Sequence, residues 1–399
     1  MLVNIKRLQK RMDEEGLDGV VATTLPNIHY FAGFWSLALS GFPGGQCYAV
    51  ITRDEPMKPI VVTSTVELDQ VQDGFPVKDV VRFGTFYREG PFMNVDMTPD
   101  EVWLKEKAMK SKQADGPLEG LVVALKRLGL VDKKIGIDEQ GFKNGFFEAI
   151  TKELSQAEFI KVSKLLNWVR KVKTPEEIKR LRAVARITER AMLAATGIAR
   201  EGVTEYELER EFERSIVSQG ARPQFTLIRF GRNAVAGQRK PSRTQLKKGD
   251  VIWFDTGAIY KGYWSDVARC FSLGEPSERV RTIYKAMLEG EKVGIEDTRA
   301  GMTGGELFEL VMEATRDAGV SRYRRHHVGH GIGSEVYEPP LLAPGNEDVI
   351  EVGSVINIET PYYEFGLGAL HVEDPYVVRE DLNHELLTTL GRELHILPV

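Results

Sequence analysis

"DVIWFDTGAIYKGYWSDVARCFSL", residues 250–273, is a β-rich run interrupted by Tyr260, Lys261 and Gly262. Two apolar arms about such a turn signal predict a β-hairpin. Asp255 and Asp266 lie on opposite arms. With an even-length turn, period-two alternation puts both carboxylates on one face and close across the ladder. Two like charges held that close are costly unless something neutralises them, and a shared divalent cation, or a pair of them, would do so. On an isolated hairpin such aspartates ordinarily only solvate an edge, so the rest of the chain decides.

Two more acids sit inside apolar β-runs further on. "GSVINIETPYY", residues 353–363, reads as a strand leading to Glu359. "LGALHVEDPYVV", residues 367–378, reads as a strand with His371 and Glu373 two apart, hence on one face. Ionised carboxylates are rarely buried without a partner, so both glutamates need arginines, protonation or metal. Between the hairpin and these strands lies "HHVGHGIGSEVYEPP", residues 326–340. With His330, the four acids make an oxygen-rich set of one nitrogen and four carboxylates, suited to two hard or borderline divalent ions. Four negative charges balance two dications.

Asp255, Asp266, His330 in "GHGIG", Glu359 and Glu373 resemble the five-ligand signature of the pita-bread metallopeptidases, the family of methionine aminopeptidase, prolidase, aminopeptidase P and creatinase. The step between the aspartates, the glycine loop and the two late glutamates occur in family order. The resemblance implies an α/β two-domain chain, with a creatinase-like α/β N-terminal domain over residues 1–164 and an α+β pita-bread catalytic domain over 165–399. It implies two divalent metal ions, with manganese, cobalt, zinc and iron all suited to the ligand set. It assigns Glu359 a second role, as proton shuttle between water and leaving nitrogen. The glycines of 329–333 let the backbone turn so that His330 reaches the metals. A phosphate cradle would need a strand, a glycine turn, a helix N-terminus and usually a lysine, which this stretch does not supply.

Other positions follow from the same resemblance. His326, four before the ligand, corresponds to a further active-site histidine of the aminopeptidase P branch, whereas His327 reads as a hydrogen-bonded structural histidine. Tyr337 stands where the family has a histidine, and Gln238 in "AGQRKPSR" stands where a second is expected. Tyrosine still donates a hydrogen bond to a developing oxyanion, and glutamine donates or accepts, but neither titrates near neutrality. Both are therefore expected to face substrate, with substrate choice altered. The arginine usual two residues before the last glutamate is His371, and "IETP" replaces the usual "IEPG", which marks a divergent branch. His371 either supports the ligands and substrate pocket or is a strand histidine with a hydrogen-bond partner of its own.

Upstream, the short strands "GVVAT", "CYAVIT", "PIVVT" and "KIGID" alternate with helical stretches, an α/β pattern. Capping boxes at Thr98/Glu101, Thr174/Glu177 and Thr204/Glu207 predict three helix starts, the second near the start of the catalytic domain. Ile178, Leu181, Val184, Ala185 and Ile187 form the buried stripe of that second helix. A first helix ends at Gly16, and Gly220 ends the helix opened at Thr204. Similarity to creatinase and prolidase also implies a homodimer in which a neighbour's N-terminal domain borders the site, with residues 33–46, "GFWSLALSGFPGGQ", as the candidate border.

Composition bounds the rest. At 399 residues, 42% hydrophobic and 28% charged, the chain reads as a soluble two-domain protein. No apolar run approaches the about 18 residues that span a bilayer. A net charge of -5 without a long basic stretch argues against nucleic acid. Two cysteines far apart, Cys47 and Cys270, suit a reducing compartment, so the expected location is the cytoplasm. The expected activity is metal-dependent hydrolysis of an amide bond in a peptide or small amide, as an Xaa-Pro dipeptidase or aminopeptidase of a divergent branch. A creatinase-like C–N hydrolase or lyase is the alternative that Gln238 and Tyr337 suggest, weakened because creatinase lacks the full ligand set. A non-catalytic pita-bread interaction protein is the third, but a binding module gains nothing from four buried carboxylates.

Overall fold

The computed structural model describes residues 2–72, 77, 79–110 and 113–399. The chain divides into two compact units, Met1–Arg170 and Lys171–Val399. In the first, strands β1 (Gly19–Ala22), β2 (Tyr48–Thr52), β3 (Ile60–Ser64), β4 (Asp79–Phe83), β5 (Lys134–Ile137) and β6 (Glu158–Lys161) form a six-stranded sheet in the order β4-β3-β2-β1-β5-β6. Pairing is mixed: β1 runs antiparallel to β2 and parallel to β5. The four apolar runs read from the sequence are β1, β2, β3 and β5, buried along almost their whole length. Val50, Val62 and Val81 pack against Leu121 and Leu125 of the helix Pro117–Arg127. The helix Ile5–Glu15 ends at Gly16 in the left-handed region, φ 65°, and the Thr98 box opens Pro99–Lys105. In the 33–46 stretch Phe42 is exposed and Trp35 half-buried.

In the second unit the boxes at Thr174 and Thr204 open helices Pro175–Thr196 and Glu205–Ser218. A further box at Thr303 opens Gly304–Asp317, which packs with Glu278–Glu296. Ile178, Leu181, Val184, Ala185 and Ile187 are all buried, as their spacing predicts. The strands are β7 (Arg222–Phe230), β8 (Val251–Tyr260), β9 (Tyr263–Trp264), β10 (Val267–Leu273), β11 (Gly329–Gly331), β12 (Glu338–Leu341), β13 (Val355–Glu359), β14 (Tyr362–Glu364), β15 (Gly368–Leu370), β16 (Glu373–Val377), β17 (Glu385–Leu386) and β18 (His395–Leu397). The main path of a ten-stranded sheet runs β12-β11-β13-β16-β10-β8-β7, and β14 pairs with β15 separately. Alternation sets the two faces of the path. Ile252, Phe254, Val267 and Phe271 join the core beneath Pro175–Thr196 and Glu205–Ser218, while Ile356, Ile358 and Tyr376 join the core of Glu278–Glu296 and Gly304–Asp317. On β8 and β10 the residues of opposite parity, Val251, Trp253 and Cys270, belong to that second core.

One expectation is corrected. Residues 367–378 do not form one strand: β15 ends at Leu370 and β16 begins at Glu373, in different sheets. His371 sits in the break, where its backbone N–H donates to Cys270 Sγ at 3.3 Å instead of to a carbonyl of a neighbouring strand.

Candidate metal centre

The hairpin register places the aspartates. Tyr260 pairs with Tyr263, so the turn is the two-residue Lys261-Gly262. Both turn residues have positive φ, 49° and 82°, the signature of the tight turn whose twist matches a hairpin. From this turn the ladder continues in step, setting Asp255 opposite Ala268. Asp266 lies two before Ala268 and so shares its face. On the other side of β10, Ala268 pairs with Glu373, and Glu373 pairs with Glu359. Asp255, Ala268, Glu373 and Glu359 thus form one row across β8, β10, β16 and β13. Ala268, with a single methyl group, leaves the space between Asp255 and Glu373 open.

A row on each side completes the cluster. Two residues along in one direction come Asp266 on β10 and Asn357 on β13, with His330 opposite Asn357 on β11. Two residues along in the other direction come Trp253 and Cys270, paired across β8 and β10, and His371 bonded to Cys270. Gly329 allows β11 to reach this position, because its φ is 141° and a Cβ there would lie 2.0 Å from the Asn357 carbonyl oxygen.

The donor atoms converge without pairing off. His330 Nδ1 donates to the Gly331 carbonyl at 2.9 Å, which leaves Nε2 facing Asp266 Oδ2, 3.6 Å away, and Glu373 Oε1, 4.0 Å away. His371 Nε2 lies 3.5 Å from Glu373 Oε2 and 3.7 Å from Glu359 Oε2, and its Nδ1 lies 3.9 Å from Asp255 Oδ2. Asn357 donates to Glu373 Oε1. Asp266, His330, Glu359, Glu373 and His371 are all buried. Asp266 Oδ1, His330 Nε2 and both ring nitrogens of His371 have no hydrogen-bond partner. Two sets of donor atoms, Asp255–His371–Glu373 and Asp266–His330–Glu373, each fall within 4.8 Å of one another and share Glu373.

Burial, with Asp266 and Glu359 alongside, pushes the Asp255 carboxyl well above the usual range. Burial and the three other acids do the same to Glu373. Asp266 is raised by burial, partly offset by His330. For His330, burial alone would favour the neutral ring, but Asp266 outweighs it and raises the pKa. Burial likewise pushes Glu359 up, yet His327 overrides it and holds the carboxyl at about 2. Burial takes His371 down to about 3, so the ring is a neutral base. Anionic oxygens crowded together, with lone pairs left over, suit divalent cations, and cation binding would displace the protons that Asp255 and Glu373 otherwise retain.

The structure gathers Asp255, Asp266, His330, Glu359, Glu373 and His371 on one face. Tyr337, half-exposed, stacks on His330 with ring centroids 3.8 Å apart. His326 is exposed and packs its edge on His327, 4.3 Å between centroids. His327, which the sequence reading treats as structural, is the one that meets an acid, its Nδ1 lying 2.9 Å from Glu359 Oε1. Gln238 is exposed, while its neighbour Gly237 packs against Trp253 and Tyr363. Sequence reasoning also missed Arg325, 3.9 Å from Glu359, and Trp253, whose ring stacks on His371 at 6.1 Å and 21°. Trp253 sits two before Asp255, and that spacing was the available signal.

A sheet face on which carboxylates and imidazoles converge with lone pairs to spare is the framework of a metallohydrolase. The chain belongs to metallopeptidase family M24, whose family model matches residues 179–380, and residues 4–172 match the creatinase/prolidase N-terminal domain. An Xaa-Pro dipeptidase of Pyrococcus horikoshii is 28% identical over 392 residues, covering 98% of both chains. Among solved structures, an Xaa-Pro dipeptidase from Bacillus anthracis superposes with a TM-score of 0.78 at 28% identity, covering 98% of this chain and 99% of that one. An X-Pro aminopeptidase from Thermotoga maritima gives 0.77 at 25% identity and covers 99% of both chains. The protein is accordingly a metal-dependent hydrolase.

Proposed function

We propose that the cluster holds two divalent cations on Asp255, Asp266, His330, Glu359 and Glu373, and that the enzyme cleaves the amide bond of a small peptide, with Xaa-Pro peptides as the substrate class. The observation that carries this reading is four carboxylates gathered on one face, three of them buried and Asp255 partly so, with a single arginine among the described residues, Arg325, at their edge. The names of its relatives supply the Xaa-Pro preference. When bound, the cations supply Lewis acidity that polarises the scissile carbonyl and acidifies water.

The protein groups do the rest. Glu359, held in place by His327, takes the proton from the attacking water and passes it to the leaving nitrogen. Tyr337 lies flat over His330 with its edge open to substrate, where its hydroxyl donates to the developing oxyanion. His326 contacts substrate at the exposed rim. Gln238, on the loop beside Trp253, contacts it from the His371 end. Tyrosine and glutamine in place of two family histidines narrow the substrates accepted. Manganese, cobalt, zinc and iron all suit the donor set. The enzyme works in the cytoplasm, where Cys47 and Cys270 remain free thiols, as a homodimer in which residues 33–46 of the neighbouring subunit border the active site. Among the described residues no helix is long and apolar enough to cross a membrane.

Asp266→Asn keeps the side-chain shape and removes one charge. It is expected to lower bound metal and abolish hydrolysis of Xaa-Pro dipeptides, measured by elemental analysis and product release, with an unchanged circular-dichroism spectrum. Full activity of metal-free wild-type protein in a strong chelator would sink the reading.

A further inference from the structure

We propose that His371 is itself a metal ligand, so that each of two cations takes one imidazole, His330 on one side of Glu373 and His371 on the other. The proposal rests on the metal-centre reading above and extends it to a side chain outside the five-ligand set.

A histidine that merely supports neighbours through hydrogen bonds uses at least one ring nitrogen, because a buried imidazole with both nitrogens unsatisfied is costly. His371 is 1% exposed, and neither of its nitrogens has a hydrogen-bond partner among the described residues. Its Nε2 stands 3.5 and 3.7 Å from the nearest oxygens of Glu373 and Glu359, at or beyond the limit of a hydrogen bond. Two donors each about 2.1 Å from a shared cation, at tetrahedral or octahedral angles, lie about 3.0–3.5 Å apart. The spacing of His371 is therefore close to that of co-ligands, and it parallels the spacing of His330 from Asp266 and Glu373, 3.6 and 4.0 Å.

The surroundings repeat on the two sides. Glu373 turns Oε1 toward His330 and Oε2 toward His371. Each histidine has one aspartate for company, Asp266 or Asp255. The His371 ring is held by its stack on Trp253, and its backbone by two contacts to Cys270 Sγ, 3.3 Å from its N–H and 3.5 Å to its carbonyl oxygen. The break between β15 and β16 presents the ring in this orientation. A second imidazole moves the donor set toward borderline metals, so cobalt and zinc are favoured over manganese.

The test is X-ray absorption on full-length wild-type protein loaded with two equivalents of cobalt, together with cobalt titration calorimetry. Two ligating histidines give an average of about one imidazole per cobalt, and His330 alone gives about half. His371→Arg restores a hydrogen-bond donor but removes the lone pair. It is expected to halve the imidazole count and to weaken one cobalt site by more than the roughly 10- to 100-fold that losing an outer hydrogen-bond partner costs. Wild-type protein that binds two cobalt ions with one imidazole between them overturns this proposal and leaves the metal centre standing. So does an arginine variant with unchanged cobalt affinity and spectrum. Wild-type protein that binds no cobalt overturns the metal centre as well.

Discussion

Glu373 and Asp374 are neighbours on β16, both buried, and they point to opposite faces of one sheet. On the helix-covered face Asp374 accepts from Arg269 at 2.6 Å, with both side chains fully buried. Arg269 also donates to the carbonyls of Ala268, Glu373, Leu390 and Gly391. Beside this pair, Glu291 meets Arg392 at 3.1 Å. In this cluster two arginines match two acids. On the other face Glu373 meets Asp255, Asp266 and Glu359, and burial drives its carboxyl to hold a proton. A third cluster is intermediate: Lys173 pairs with Glu338 at 2.7 Å, and Glu177 shares the same lysine. Burial, only partly offset by Lys173, raises Glu177 to about 7. The fold can bury carboxylates with countercharge where they serve only structure. It withholds countercharge around Glu373, as the proposed cation site requires.

The matched pair Asp374→Asn and Glu373→Gln breaks the comparison most directly. In chelated protein, urea unfolding should show Asp374→Asn losing about 3–5 kcal/mol, because Arg269 is left buried without its partner. Glu373→Gln should lose nothing there, since the carboxyl it replaces already holds a proton and the amide oxygen still accepts from Asn357. Equal losses would mean that the two faces are not different in kind.

Glu177 tests the intermediate case through pH. Its folded pKa lies above the unfolded value of 4.5, at about 7. The stability it contributes is complete below pH 4.5 and declines as pH rises through about 7, by at most about 3 kcal/mol for a shift of this size. Glu177→Gln should flatten this part of the profile in chelated protein, while its amide oxygen can still accept from the Thr174 backbone. A variant whose profile follows the wild type from pH 4.5 to 8 would move the titration elsewhere.

Metal addition should give the smallest change. At a cation concentration about 100-fold above its dissociation constant, binding stabilises by about 2.7 kcal/mol, read as a rise in unfolding midpoint that chelation reverses. Asp374→Asn should keep this increment and Glu373→Gln should lose it. Retention by both would place the cation away from Glu373.

What was legible in the sequence was local. Lys261-Gly262 specifies its own turn, and with it the shared face of Asp255 and Asp266. Threonine and glutamate three apart specify helix starts at Thr98, Thr174 and Thr204. The strands around Glu359 and Glu373 could be read as β-runs, but the break at His371 could not. That break depends on the sulfur of Cys270, 101 residues earlier. The choice between His326 and His327 as partner of Glu359 is likewise tertiary, since both histidines sit on one turn of chain and only packing against β13 separates them. Nor does the sequence reveal that Asp374 has an arginine while Glu373 has none, because Arg269 lies 105 residues from its partner.

The strand order has a consequence for how the enzyme is made. β16 lies between β10 and β13, so the hairpin of residues 251–273 and the pair β11 and β13 are brought side by side only when β16 enters. These are non-local pairings, which form late and slowly compared with hairpins and helices. Glu373, the donor common to both triads, arrives on that closing strand. A nascent chain that has emerged only as far as Leu273 therefore offers a cation two aspartates on a hairpin and no cage. The proposed cation site is therefore assembled only once β16 has been made, and an ion bound there would hold together the sheet whose closure creates it.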